Sequence, residues 1–194
     1  MCGMSRARPY HHGDLRRVVL DAAVAALLET GPAGLSLRDL ARRAGVSHAA
    51  PAYHFGDKAG LLTAVAAEGY DLLAEALTTA RRDTREFLEV GVAYVRFAID
   101  HRAHFEVMYR PDLYHPDDPT VQAARQRSAD ALYGGAGSLP TTQRGPDVRL
   151  AGVAAWSLVH GFATLWLNDV LPEGLGDDPE AATRAVAAVL FRAS

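Results

Sequence analysis

Residues 36–62, SLRDLARRAGVSHAAPAYHFGDKAGLL, constrain this chain more than any other stretch. Leu37, Leu40, Ala41 and Ala44 recur at helical spacing, so a short helix with one apolar face follows Ser36. Ser36 and Asp39 have the spacing of a capping box, a hydroxyl followed three residues later by a carboxylate. Gly45 suits the positive φ that ends such a helix. Ser47 can cap a second short helix over 48–55, Gly56 breaks it, and Asp57 can cap a third with Lys58 in its first turn. Two short helices joined by a glycine-containing turn of about four residues are the sequence form of a helix-turn-helix. An ordinary helical hairpin has the same form, so the rest of the chain must decide.

Charge is the first discriminator. The whole chain carries −3, which taken alone argues against nucleic acid. Residues 1–62, however, hold eight basic and five acidic residues, net +3, with four histidines; the remainder holds twelve basic and eighteen acidic, net −6. A positive end on an acidic body suits a protein that meets phosphate at one end only. Arg6 and Arg8 sit in an N-terminal arm that could follow a DNA backbone or remain a solvated tail. No apolar stretch of signal-peptide type follows them. No charge-free apolar run near 18 residues is expected, which argues against a membrane span. The single cysteine, Cys2, offers neither a disulfide framework nor a metal cluster and fits a reducing, cytoplasmic setting.

The rest of the chain reads as helix throughout. Apolar periodicity places helices over about 14–30, 58–82, 84–101, 103–109, 119–133, 147–171 and 178–192, besides the two already named. Gly31-Pro32 ends the first, and Thr84, Asp178 and Pro179 mark later starts. The glycine- and proline-rich segment 134–146 is a connection. Sustained period-2 alternation is absent, so the expected class is all-α: about nine helices, divided into 1–62 and 63–194.

In the body, Tyr94, Phe97, Phe105, Met108 and Tyr109, with Trp156 and His160 at i, i+4, are candidates to line a mostly apolar ligand cavity; plain core packing would use the same residues. His11-His12 with Asp14, and His101 and His104 with Asp100 or Glu106, are weak metal groupings, and no metal or cofactor is expected. Val153, Leu158, Ala163, Leu167, Ala181, Ala185, Ala188, Val189 and Phe191 offer small and aliphatic side chains for a close contact between two copies. No nucleophile stands beside a base and no glycine-rich phosphate cradle occurs, which argues against an enzyme. The alternative is a helical small-molecule-binding protein or enzyme with no role at DNA; a helical adaptor is a third reading, and it does not account for the charge split.

The helix over 15–30, the run LSLRDLARRAGVS, the short helix ending His54-Phe55, and Asp57-Lys58 with Leu61-Leu62 together resemble the TetR family of bacterial transcriptional regulators. The segment Ala155-Trp156-Ser157-Leu158-Val159-His160-Gly161 is similar to the WHG-type C-terminal domain of one branch. The resemblance implies a homodimer joined through helices 8 and 9, a palindromic double-stranded DNA operator, and a body that senses a small-molecule effector, usually as a repressor released by ligand. It also implies a recognition helix over 48–55, with phosphate contacts at Ser36 or Arg38, His54 and Lys58. Ser47, His48, Ala49 and Tyr53 complete the candidate DNA surface. Lys58 is the only lysine in the chain, and a cation at a helix start adds to the amides there.

Two departures from the family pattern matter. The tyrosine common near the end of the recognition helix is replaced by Ala52, with Tyr53 next. That is a rotation of about 100°, so Tyr53 either reads a base edge or packs inward. If Ser47 caps the helix, Pro51 is its fourth residue, where it would forfeit a hydrogen bond and crowd the Ser47 carbonyl. With few base-reading donors, direct readout is expected to be modest and phosphates to supply more of the affinity.

Overall fold

The computed structural model describes residues 12–135, 137 and 146–191. The N-terminal arm with Cys2, Arg6, Arg8 and His11, and most of the 134–146 connection, lie outside the described residues. Nine α-helices and one 3-10 turn are found among those described, with no strand. They are α1 (His12–Gly34), α2 (Leu37–Arg43), α3 (Ala50–Phe55), α4 (Lys58–Thr84), α5 (Phe87–Asp100), α6 (Arg102–Met108), the 3-10 turn (Pro111–Leu113), α7 (Pro119–Tyr133), α8 (Val148–Leu167) and α9 (Pro179–Phe191).

Local chemistry explains most boundaries. Gly31 leaves helical geometry at φ 65°, ψ 178°, just before Pro32, so α1 kinks at the expected stop. Asp57 caps α4 by accepting the Gly60 amide at 2.8 Å, and a side chain on Gly60 would collide with the Phe55 carbonyl. Asp118 caps α7 and Asp147 caps α8, each accepting two amides. Asp178 does the same for α9, taking Glu180 N at 2.9 Å and Ala181 N at 3.3 Å. Thr84 does not start α5: it closes α4, and Glu86 holds the α5 N-cap.

α4 is the spine. It carries Leu61, Leu62, Val65, Ala66, Tyr70, Leu73 and Leu77 into the core, where α7, α5 and α6 pack on it. α1 rests on α6 and α4, which joins the first three helices to the body. A polar link crosses the same seam. Arg17 of α1 pairs with Asp21 and with Glu68 of α4, and Glu68 Oε2 lies 3.0 Å from Nε2 of the buried His104 in α6. The acids of the weak His101–His104 grouping are engaged elsewhere: Glu106 pairs with Arg102 and Asp100 with Arg96.

His104 carries a pH prediction. Desolvation lowers its pKa, against the pull of Glu68. Desolvation also pushes the Glu68 carboxyl up, but Arg17 and His104 outweigh it and hold the group below its ordinary value. A depressed histidine favours the neutral form in the folded chain. Below its unfolded pKa of about 6.5, the unfolded chain binds more protons, so stability falls as pH falls. His160 is depressed by burial in the same direction. The melting temperature should therefore drop between pH 7.5 and 5, and His104→Gln should make that slope shallower. An unchanged slope would exclude His104 as a contributor.

The expectation that no apolar run reaches membrane-spanning length fails for α8. Residues 150–167 contain no Asp, Glu, Lys or Arg, and the helix is long and apolar enough, by length and composition, to cross a bilayer. Here one face, with Gly152, Val159, Phe162 and Ala163, is buried against the protein. Leu150 and Leu165 remain 66% and 45% exposed. Ala163, expected at a contact between copies, is fully buried within the chain itself.

Candidate nucleic-acid interface and ligand cavity

α2 starts without its expected cap. Ser36 holds the N-cap position with extended backbone, but its side chain accepts no amide. The capping box does not form because Asp39 turns to two arginines instead. It accepts from Arg42 at 2.5 Å and from Arg43 at 2.7 Å, and those hydrogen bonds hold it below the usual carboxylate range. Ser36 and Arg38 are both exposed.

α3 starts later than expected, and this removes the difficulty at Pro51. Ala49, not Ser47, is the N-cap. The Ser47 carbonyl closes a turn by accepting the Ala50 amide at 3.0 Å. Pro51 then falls in the first helical turn, where its missing N–H has no helical acceptor to lose. Ser47, His48 and Ala49 occupy the exposed turn before the helix rather than its first turn. Tyr53 is 81% exposed, so it does not pack inward. Its ring meets His54 edge-on at 5.1 Å, and His54 meets Phe55 at 6.3 Å.

Tertiary pairing decides which cations of this region stay available. Arg17, Arg42 and Arg43 are all bound to carboxylates. Arg16 lies over the Phe55 ring at 5.1 Å. Arg38 and Lys58 have no carboxylate partner among the described residues. Lys58 Nζ donates to the Ala33 carbonyl at 3.3 Å, so its charge reaches the end of α1, just before α2 begins. Among the described cations of this region, Arg38 and Lys58 thus keep neither a carboxylate nor a ring partner, and they stand beside exposed His48 and Tyr53.

In the body, a cavity of about 410 Å³ lies between α4, α7, the end of α6 and α8. Of the candidate ligand residues, Met108, Tyr109 and Trp156 are on its wall. Tyr94, Phe97, Phe105 and His160 do not: they form the core behind its wall. Tyr94 is fully buried. Its hydroxyl donates to Tyr109 at 2.8 Å, receives Trp156 Nε1–H at 3.2 Å and lies 2.9 Å from His160 Nδ1. Phe97 stacks on His101 at 5.1 Å, and Phe105 lies 5.3 Å from His160. Burial pushes the Tyr94 phenol up to about 12 and raises Tyr109 and Tyr70 further.

Sequence reasoning missed Tyr70, Tyr114, Tyr133 and the α7 residues Arg125, Ser128 and Leu132. The spacing of the last three, i, i+3 and i+7, was a usable signal for one helix face. A larger, more open groove of about 940 Å³ runs between α1, α3 and α4. Arg16, Arg17, Glu68, Asp71 and Glu75 are on its walls, so it lacks the apolar lining of a small-molecule site.

Residues 19–65 match the tetR family of bacterial regulatory proteins, and residues 87–190 match the tetracyclin repressor-like C-terminal domain. A protein of unknown function from Rhodococcus sp. RHA1 is 36% identical, with a TM-score of 0.79 over 96% of this chain and 98% of that one. The TetR family transcriptional regulator PfmR from Thermus thermophilus is 24% identical, with a TM-score of 0.69 over 90% and 97%. A bacterial regulatory protein of the tetR family from Rhodococcus RHA1 is 21% identical, also at 0.69, over 91% and 95%. No curated protein matches. With the C-terminal family covering more than half of the sequence and a relative 36% identical over nearly all of it, the chain belongs to the TetR family of transcriptional regulators.

Proposed function

We propose that this protein is a dimeric repressor that binds a palindromic operator through residues 1–62 and leaves it when a small molecule occupies the cavity in residues 63–194. The observation that carries the reading is the surface of Ser47, His48, Ala49 and Tyr53, all exposed, with Arg38 and Lys58 beside it, two cations that have neither a carboxylate nor a ring partner among the described residues. Phosphates would be met by Arg38, Lys58 and the Ser36 hydroxyl. His48, Tyr53 and His54 are the groups able to reach base edges, and Ala49 offers a methyl. The cavity touches α4, whose first residue is Lys58, so α4 is the element through which occupancy would reach the DNA surface.

Two recognition helices about one turn of DNA apart require a two-fold dimer. The uncharged face of α8, with Leu150, Val153 and Leu165, supports one, together with Val189 of α9, which is 72% exposed. A regulator of this family works in the cytoplasm, where its DNA lies, in keeping with a chain that has a single cysteine.

The test is gel retardation of DNA upstream of its own gene at graded salt, with Leu150→Glu/Leu165→Glu as control. The native chain should run as a dimer in light scattering and give a slow complex that salt dissolves. The variant should be a monomer and lose that complex by at least about 100-fold in affinity, because two buried carboxylates per copy oppose association. A native monomer at micromolar concentration, or no retardation at low salt, would sink the reading.

A further inference from the structure

The chemistry of the cavity wall limits what can bind there. Its walls are mostly ring faces and aliphatic groups: Tyr70, Tyr109, Tyr114, Tyr133, Trp156 and Leu132. Among the described residues no Asp or Glu lines it, and Arg125 is its one charged residue. Arg125 has no carboxylate partner among them either, unlike its helix neighbour Arg127, which is bound to Asp71. A guanidinium only donates hydrogen bonds and stays charged at any working pH.

The hydroxyls divide the same way. Tyr70 and Tyr114 both donate to the Met108 carbonyl at 2.9 Å, and Ser128 donates to the Arg125 carbonyl. Trp156 donates to Tyr94. The Tyr109 hydroxyl lies 2.8 Å from that of Tyr94, which is also 2.9 Å from His160 Nδ1, so when Tyr94 gives its proton to either of them Tyr109 can turn its own to a ligand. What the wall leaves for a ligand is one cation and the Tyr109 and Tyr133 hydroxyls on an apolar surface.

We infer that the effector is a small apolar carboxylic acid, aromatic or branched aliphatic, whose carboxylate is held by Arg125 and assisted by the Tyr109 hydroxyl. One fixed positive charge balances one carboxylate, and the fork of a guanidinium matches its two oxygens. A cavity of about 410 Å³ is at the small end for ligand sites, which favours a compact body over a long chain. The inference rests on reading this cavity as the effector site, and it makes Arg125 the residue that selects charge.

The experiment titrates the full-length Trp166→Phe protein, leaving Trp156 at the cavity wall as the only tryptophan. Benzoate, phenylacetate and isovalerate are compared with their neutral amides and with benzylamine, following Trp156 fluorescence. At least one acid should bind at least about tenfold more tightly than its amide, the size of a charge-assisted hydrogen bond. Arg125→Gln, at an exposed position that leaves the core intact, should erase that preference, bringing the acid to the affinity of its amide. Ala129→Phe, which fills the cavity without adding a tryptophan, should abolish all binding. If amides or the amine bind as well as acids, and Ala129→Phe blocks them, the cavity reading stands and the carboxylate inference falls. If acids bind but Ala129→Phe leaves them unaffected, the cavity itself is the wrong site and both fall. No binding by any of the three acids also overturns the inference.

Discussion

Replacing Arg38 and Lys58 together by alanine is expected to weaken operator binding by roughly 10²–10³-fold at physiological salt, with the fold intact. Neither side chain holds the structure together. Arg38 is exposed without an ion pair among the described residues, and Lys58 makes one backbone contact, to Ala33 at 3.3 Å. The contribution proposed for them is to phosphate. A dimer would lose up to four phosphate contacts, and at about 0.9 per contact the slope of log affinity against log salt should flatten by about 3 to 4. Because phosphates carry no sequence information, specific and non-specific DNA should be affected alike. Titrations at three salt concentrations, on operator and on scrambled DNA, measure both. An unchanged salt slope would remove these residues from the interface. A loss confined to operator DNA would instead assign them to base reading.

The second large effect is on stability. Tyr94→Phe removes one oxygen from a site that is fully buried. That oxygen is the common partner of Trp156 Nε1, Tyr109 and His160 Nδ1. The ring and its packing on Phe105, 6.2 Å between centroids, are retained. The cost is thus mainly that of leaving buried partners unsatisfied, about 1 to 3 kcal/mol for each one that cannot find water. A total of about 2 to 4 kcal/mol corresponds to a melting temperature lower by about 5 to 15 °C for a chain of this size. Trp156→Phe, which orphans one partner instead of three, should cost less. A melting temperature within about 1 °C of the native chain would mean that the Tyr94 hydroxyl is not the organising contact between α5, α6 and α8. Because Tyr109 and Trp156 face the cavity from this cluster, effector affinity should fall with stability in Tyr94→Phe.

The two predictions draw on different kinds of information. The helix-turn-helix was legible because its signals lie within a few residues of one another. Gly45 and Gly56 adopt the positive φ that ends α2 and α3, and Asp57 caps α4 by reaching only three residues ahead. The same holds for Asp118 and Asp147. Where local signals competed, the sequence misled. Ser36 and Asp39 match a capping box, yet Asp39 has two arginines within one turn, and two charged partners outcompete one neutral amide. Ser47 and Ala49 could each start α3, and only the Ser47–Ala50 turn, with Pro51 placed harmlessly, decides for Ala49.

By itself, then, the sequence determined the all-helical class, the order of the helices, most of their ends and the N-terminal helix-turn-helix. All of these depend on contacts between residues up to four or so apart. The tertiary structure decided which charges are free and which aromatic residues meet. Arg17 is paired with a carboxylate 51 residues away and Arg184 with one 95 away, and no local pattern encodes such partners. Tyr94 and Phe105 share the periodicity of Met108 and Tyr109, yet they lie behind the cavity wall rather than on it, because a helix period shows which face is apolar but not which neighbour covers it. Arg125 is ordinary in the sequence. Its position at the mouth of an aromatic cavity follows only from the packing of α7 along α4.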